Sequence, residues 1–121
     1  MNQEVKEKWL TALKSGEYTK GRGTLKHNNQ FCCLGVLCDL YKKETGIGEW
    51  SEIVEGEFIL NYERAVGVLS ERVMNWAGLK SGNPETSKAY VINHTTYFWS
   101  IAEINDTTET FKEVIEEIEK F

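Results

Sequence analysis

The stretch FCCLGVLCDLY, Phe31–Tyr41, is the most apolar part of the chain and carries all three of its cysteines. Leu34 and Leu37 follow helical spacing, and the other apolar residues widen that face around most of the circumference. Only Gly35 and Asp39 leave a narrow polar stripe. Because a helix that is apolar nearly all round is buried, the stretch predicts a central helix inside the core.

Helix and turn signals on either side of this stretch predict further elements. The apolar spacing after the first residues predicts a helix over 3–15, which Gly16 ends. Ser70 is the expected N-cap of another helix, and Gly78 is its stop. Three hairpins are predicted, with turns at Asn28–Asn29, Glu55–Gly56 and Asn93–His94.

The C-terminal segment has the spacing of a further helix. Asp106 and Glu109 match the D-x-x-E variant of a capping box. The apolar residues of 111–121 then recur at helical intervals, which predicts an amphipathic helix with a solvated acidic face. Together the signals predict an α+β fold with about four helices and two or three short antiparallel hairpins around the central helix. At 121 residues the chain is expected to form a single domain, 1–121.

Charge and apolar patterning exclude several classes of partner. The net charge is −5, and residues 44–63 hold six glutamates without a basic residue, so a general binder of duplex nucleic acid is not expected. No apolar run approaches the roughly 18 residues of a membrane helix, and the charged N-terminus does not resemble a signal peptide. An odd number of cysteines suits reduced thiols, so we expect a cytoplasmic protein without a membrane partner.

The three cysteines allow three interpretations. Cys33 would begin the central helix, where the helix dipole could activate it as a nucleophile with His94 or His27 as the base. Cys32, Cys33, Cys38 and His27 would supply four zinc ligands, but the usual C-x2-C spacing is missing. Free cysteines are most often small apolar core residues. We therefore predict packing, with no metal, no cofactor and no catalytic residue; an enzyme would use Cys33 and His94.

The stretch YTKGRG, 18–23, is the clearest candidate for ligand binding. Glycines beside Arg22 let a ligand approach the backbone, and Lys20 and Arg22 offer cationic donors to phosphate. A solvated turn is the alternative. Asn105 and Asp106 are read as partners of backbone amides at a helix junction, or as polar contacts of a ligand. The predicted ligand-binding residues are Tyr18, Lys20, Arg22, Gly23, Trp50, Asn105 and Asp106.

The ordered motifs KEKWLTALKSGEYTKGRGTL, FCCLGVLCDLY, RVMNWAGL and IAEINDTTETFKEVIEEIE resemble those of a widespread family of small phage and prophage proteins. The cysteine stretch carries most of this resemblance. Lys20 departs from the glutamine that is more typical there, and residues 80–100 follow no family pattern. The resemblance implies a phage-borne accessory protein inside the host cell, without implying an enzyme activity or a cofactor.

Three functions follow as hypotheses. The first is a non-enzymatic counter-defence binder, a homo-oligomer in the host cytoplasm that sequesters a nucleotide-type immune signalling molecule. The second is a protein-interaction module that binds and inhibits a host protein through the acidic segment 44–63 or through the face of the C-terminal helix. The third is a cysteine-dependent hydrolase.

Overall fold

The structure is a computed structural model, and it describes residues 1–60 and 67–121. The described residues form an α+β fold, as predicted. They contain five helices: α1 Gln3–Lys14, α2 Cys33–Thr45, α3 Glu71–Ala77, α4 Ile101–Thr107 and α5 Lys112–Ile118. They also contain seven strands: β1 Thr19–Lys20, β2 Lys26–His27, β3 Gln30–Phe31, β4 Trp50–Val54, β5 Glu57–Leu60, β6 Glu85–Ile92 and β7 Thr95–Ser100.

Helix α2 is the centre of the core, as its apolar pattern predicts. Every residue from Cys33 to Cys38 is buried, and Gly46 ends the helix in the left-handed conformation. The predicted polar stripe is wrong at Gly35, which is buried against the backbone of Leu25. A glycine in this position lets two stretches of main chain approach closely. Of the two residues predicted for the polar stripe, only Asp39 remains.

A five-stranded sheet covers one side of α2. Its order is β1-β3-β2-β5-β4, and the predicted hairpins β2–β3 and β4–β5 are both present. Strand β1 pairs parallel with β3, which the sequence did not indicate because β1 has only two residues. The end of the predicted acidic segment, residues 61–63, lies outside the described residues.

The third predicted hairpin is present as well and forms a separate two-stranded sheet of β6 and β7. Its turn residues Asn93 and His94 both have positive φ, as a tight turn requires. The buried carboxylate of Glu117 accepts hydrogen bonds from Ser87 N at 3.2 Å and Ser87 Oγ at 2.9 Å. The prediction of a fully solvated acidic face on the last helix is therefore wrong at Glu117, which joins α5 to β6.

The predicted capping box at Asp106 and Glu109 is wrong. The capping box that forms is Ser100 with Glu103, at the start of α4. Asp106 lies inside α4, and α5 begins only after Phe111, without a side-chain cap. The C-terminal segment thus contains two short helices where the sequence indicated one.

Candidate functional site

The end of β1 and the loop that follows it lie against the C-terminal end of α4 and bring two cations together. Lys20 Nζ donates a hydrogen bond to Thr108 O at 2.6 Å, and Arg22 donates to the same oxygen at 3.2 Å. Arg22 also forms an ion pair with the exposed Glu109 at 3.3 Å. A carbonyl at the end of a helix carries partial negative charge and therefore attracts cations. The predicted residues Lys20 and Arg22 are thus neighbours in one site.

Asn105 and Asp106 hold this loop in place. Asp106 Oδ1 accepts from Gly23 N at 3.0 Å, and Asn105 Nδ2 donates to Gly21 O at 3.0 Å. Asn105 Oδ1 accepts from the first amide of α2, Cys33 N, at 3.1 Å. The interpretation of Asn105 and Asp106 as partners of backbone amides is therefore confirmed, although the amides belong to distant parts of the chain.

The two cations line a polar cleft with a volume of about 510 Å³. Its lining consists of Lys20, Gly21, Arg22, His27, Gln30 and Glu109. An ammonium has three donors and a guanidinium five, so both cations keep donors beyond those that Thr108 and Glu109 occupy. We call this site the basic cleft.

Lys20 is partly buried beside a second cation. Partial burial, followed by the neighbouring charge of Arg22, lowers the pKa of Lys20 below its ordinary value, and the nearby carboxylates of Asp106 and Glu109 offset this lowering only in part. The Lys20 ammonium donates its hydrogen bond to the neutral carbonyl of Thr108. A bound anion would offset both effects.

Two other predicted ligand residues, Tyr18 and Trp50, form a separate network around Asp39 of α2. Tyr18 Oη donates to Asp39 Oδ2 at 2.5 Å, and Trp50 Nε1 donates to Asp39 Oδ1 at 3.0 Å. Lys43 adds an ion pair to Asp39 at 3.2 Å. The Phe31 ring lies between the two aromatic rings, 5.0 Å from Tyr18 and 5.9 Å from Trp50. The structure therefore uses Trp50 to join the sheet to α2 and does not place it in the basic cleft.

This network predicts an acid-sensitive contribution to stability. Burial alone would raise the pKa of Asp39, but the hydrogen bonds from Tyr18, Trp50 and Lys43 outweigh it and lower that pKa. A carboxylate with a lowered folded-state pKa stabilises the fold above its unfolded-state value, here 3.8, and loses this effect as pH falls through the folded-state value.

We therefore expect Asp39→Asn to lower the free energy of unfolding by about 2 kcal/mol at neutral pH. The difference from the wild type should shrink as the pH falls below 3.8, first as the unfolded and then as the folded carboxyl becomes protonated, and urea unfolding at pH 7 and in acid brackets this range. The exposed Glu52→Gln is the control. A difference that does not change with pH would contradict this assignment.

The cysteines lie in the core, which agrees with the packing interpretation. Cys32, Cys33 and Cys38 are all buried, and Cys32 Sγ accepts from Gly35 N at 3.4 Å as the N-cap of α2. Burial raises the pKa of Cys32 to about 11 and raises that of Cys33 well above its ordinary value. His94 lies at the exposed turn of the β6–β7 hairpin and His27 lines the basic cleft. Neither cysteine at the start of α2 has the lowered pKa that a nucleophilic thiolate needs.

We expect the three thiols to react with a disulfide reagent only when the chain unfolds. All three thiols are buried, and the raised pKa values of Cys32 and Cys33 leave almost no thiolate at those two positions. The labelling rate of the native protein should therefore follow its unfolding rate, and all three thiols should react together in denaturant. Fast labelling of one thiol in the native state would contradict a purely structural role.

The structure also bears on metal binding, on membrane helices and on the acidic segment 44–63. Among the described residues, no group of three or more His, Cys, Asp or Glu could hold a metal ion. In the part of the chain that the structure describes, no helix is long and apolar enough to cross a membrane. Glu52 and Glu55 of the acidic segment are exposed on the β4–β5 hairpin, where Ile53 is also exposed.

The sequence did not assign Gln30, Thr108 or Glu109 to a site. The position of Gln30 was predictable, because a turn at Asn28–Asn29 pairs Gln30 with His27 across the hairpin. The structure has this register. Thr108 and Glu109 reach the loop after β1 only through the packing of α4. No local pattern in the sequence indicates that contact.

The chain belongs to a family described as a domain of unknown function (DUF8296), whose model matches residues 1–121. No curated protein and no solved structure matches the chain. The match covers the basic cleft and α2 alike.

Proposed function

We propose that this chain is a non-enzymatic, phage-borne accessory protein that sequesters a nucleotide-type immune signalling molecule in the cytoplasm of the host. The basic cleft is the proposed binding site, with Lys20 and Arg22 as the donors to a phosphate group. The phage setting rests on the resemblance of the cysteine stretch and its flanking motifs.

The observation that carries this proposal is the pair of adjacent cations in a protein of net charge −5. Lys20 and Arg22 share one carbonyl oxygen, Thr108 O, although their charges repel each other. Asp106 and Glu109 offset only part of this charge, because the pKa of Lys20 stays lowered despite both carboxylates. An anion between the cations would relieve the repulsion, and phosphate fits the guanidinium fork.

The size and remaining lining of the basic cleft suit a nucleotide. A cleft of about 510 Å³ lies within the range of small-molecule sites. Gln30 can donate to or accept from a base edge or ribose hydroxyl, and His27 can do the same from the neighbouring strand. The raised pKa values of Cys32 and Cys33 argue against an activated thiol at the start of α2, and we propose binding without turnover.

The test is calorimetric titration of the purified protein with inorganic pyrophosphate, mononucleotides and cyclic dinucleotides. We expect at least one of these to bind, and Lys20→Ala and Arg22→Ala each to weaken it about tenfold or more, the loss of one charge-assisted contact. Lys80→Ala is the matched control, because Lys80 is an exposed lysine in the loop after α3. Glu109→Gln should strengthen binding, since it removes the carboxylate that competes for Arg22. Unchanged binding in the Lys20 and Arg22 variants would reject the site.

A second function is favoured by the tip of the β4–β5 hairpin. Ile53 and Val54 are 44% and 55% exposed there, between Glu52 and Glu55, a combination suited to docking a basic host protein. Reversal of Glu52, Glu55 and Glu57 to lysine should then abolish capture of that protein from host lysate. A captured partner that tolerates the reversal would count against this alternative.

A further inference from the structure

The β6–β7 hairpin exposes large apolar side chains on both of its faces. Tyr97 pairs with Tyr90 on one face, and Phe98 pairs with Ala89 on the other. Val91 is 66% exposed, Ile92 53%, Tyr97 45% and Phe98 47%. In a surface hairpin the side chains normally alternate along each strand, so that one face is apolar and packs on the core while the other is polar and faces water. A two-stranded sheet with two wet apolar faces is marginal in water without a further partner.

The outer edge of β7 is also unprotected. Strand β7, TTYFWS, contains no charged residue, glycine or proline, although proteins usually guard exposed edges with such residues. The base of β6 is covered by α5, through the bonds of Ser87 to Glu117 and an ion pair of Lys88 with Glu113 at 3.7 Å. Within the described residues, no backbone hydrogen bond from outside the hairpin reaches Thr95–Phe98.

We propose that β7 pairs antiparallel with β7 of a second copy of this chain across a two-fold axis, which joins the two hairpins into one four-stranded sheet. Such pairing is self-complementary and closes both exposed edges at once. It does not depend on the basic cleft.

Charge selects a second copy as the occupant. Residues 89–99 contain no Asp, Glu, Lys or Arg. The contact therefore brings no like charges together, although each chain has a net charge of −5. The edge also offers no charge that would attract an acidic or basic partner. An identical neutral edge can pair with it through cross-strand contacts between aromatic and threonine side chains.

The exposed area suits a weak dimer. Of the four exposed side chains only Tyr97 and Phe98 lie on β7, and together they present on the order of 200 Å² of apolar surface per copy. The edge backbone and the threonines of β7 add to this area, and the total stays below the roughly 800 Å² per partner of a standard interface. We therefore expect a dimer that dissociates at micromolar concentrations.

Sedimentation equilibrium over a concentration series tests the association. We expect the mass to rise from 13.9 kDa to twice that value. Phe98→Lys should weaken association about tenfold or more. Ile53→Lys is the matched control, because Ile53 is 44% exposed on the other hairpin, and it should leave association unchanged. A monomer at about 100 µM wild-type protein, or equal effects of both variants, would overturn the proposal.

A cysteine scan tests the pairing itself and does not rely on a destabilising variant. Thr95, Thr96, Tyr97 and Phe98 are replaced by cysteine one at a time and oxidised. In a two-fold antiparallel pair, a shift of two residues moves a position about 14 Å from its own copy, beyond the reach of a disulfide. We expect cross-linking between copies to peak at one position and fall off on either side. A flat profile, or none, would overturn edge pairing even if the chain dimerises.

Discussion

Gly35→Ala is expected to lower the free energy of unfolding by about 4 kcal/mol or more. An added Cβ would overlap Leu25 O and lie 2.7 Å from the carbonyl carbon of Leu25. Both neighbours are main chain, so no side chain can rotate away to make room. The same oxygen accepts the hydrogen bond of Cys32 N at 3.2 Å, so displacing it also disturbs the start of α2. Because small domains have only about 5–15 kcal/mol of stability, much of this variant should be unfolded.

Urea unfolding followed by circular dichroism measures this loss, with Gly16→Ala as the matched control. Gly16 has φ +79° but no atom within 4 Å of an added Cβ. Its replacement should therefore cost only about 1–2 kcal/mol, the strain of a left-handed residue. If Gly35→Ala proved no more harmful than Gly16→Ala, the close approach of α2 to Leu25 would be wrong.

Asn105→Ala is expected to cost about 3 kcal/mol. The Asn105 side chain is fully buried and bonds Cys33 N and Gly21 O, each at about 3 Å. Its removal leaves one buried donor and one buried acceptor without partners, and each such group costs about 1–3 kcal/mol. The loop that presents Arg22 would also lose its hydrogen bond from Asn105 to Gly21 O, so nucleotide binding should weaken as well.

Asn83→Ala is the control for Asn105. The partly exposed Asn83 side chain accepts a hydrogen bond from Ala102 N at 3.1 Å, and the loss of this single bond should cost only about 1 kcal/mol. Urea midpoints of the two variants give the comparison. Equal losses would show that Asn105 does not join α4 to α2 and the loop.

Local signals predicted most of the fold. Ser70 caps α3 through Val73 N, and the hairpin turns occur at the three predicted positions. These features depend on neighbours within a few residues, which the sequence contains. The helix boundaries at the C-terminus were wrong because the capping box is formed by Ser100 and Glu103, which places Asp106 inside α4. The Asp106 carboxylate accepts from Gly23 N, a distant residue, and does not cap a helix of its own.

The candidate site was predicted only in part, because some of its contacts join residues that are far apart in the sequence. Side-chain chemistry and flanking glycines indicated Lys20 and Arg22 from a local pattern. Their partner Thr108 lies more than 80 residues away in the sequence, and no periodicity reports that contact. Gly35 was misinterpreted from its local pattern. Its lack of a side chain suggested a polar stripe, whereas the glycine is needed because the backbone of Leu25 approaches α2 closely.

The central claim is that the basic cleft binds a nucleotide through Lys20 and Arg22 while the thiols only fill the core. Native mass spectrometry of the purified protein, mixed with a panel of mononucleotides and cyclic dinucleotides, tests it most directly. We expect one nucleotide adduct per chain on the wild type and on Lys80→Ala, and its loss from the Lys20→Ala/Arg22→Ala double variant. A wild type without any adduct, or a double variant that keeps it, would contradict nucleotide binding at the basic cleft.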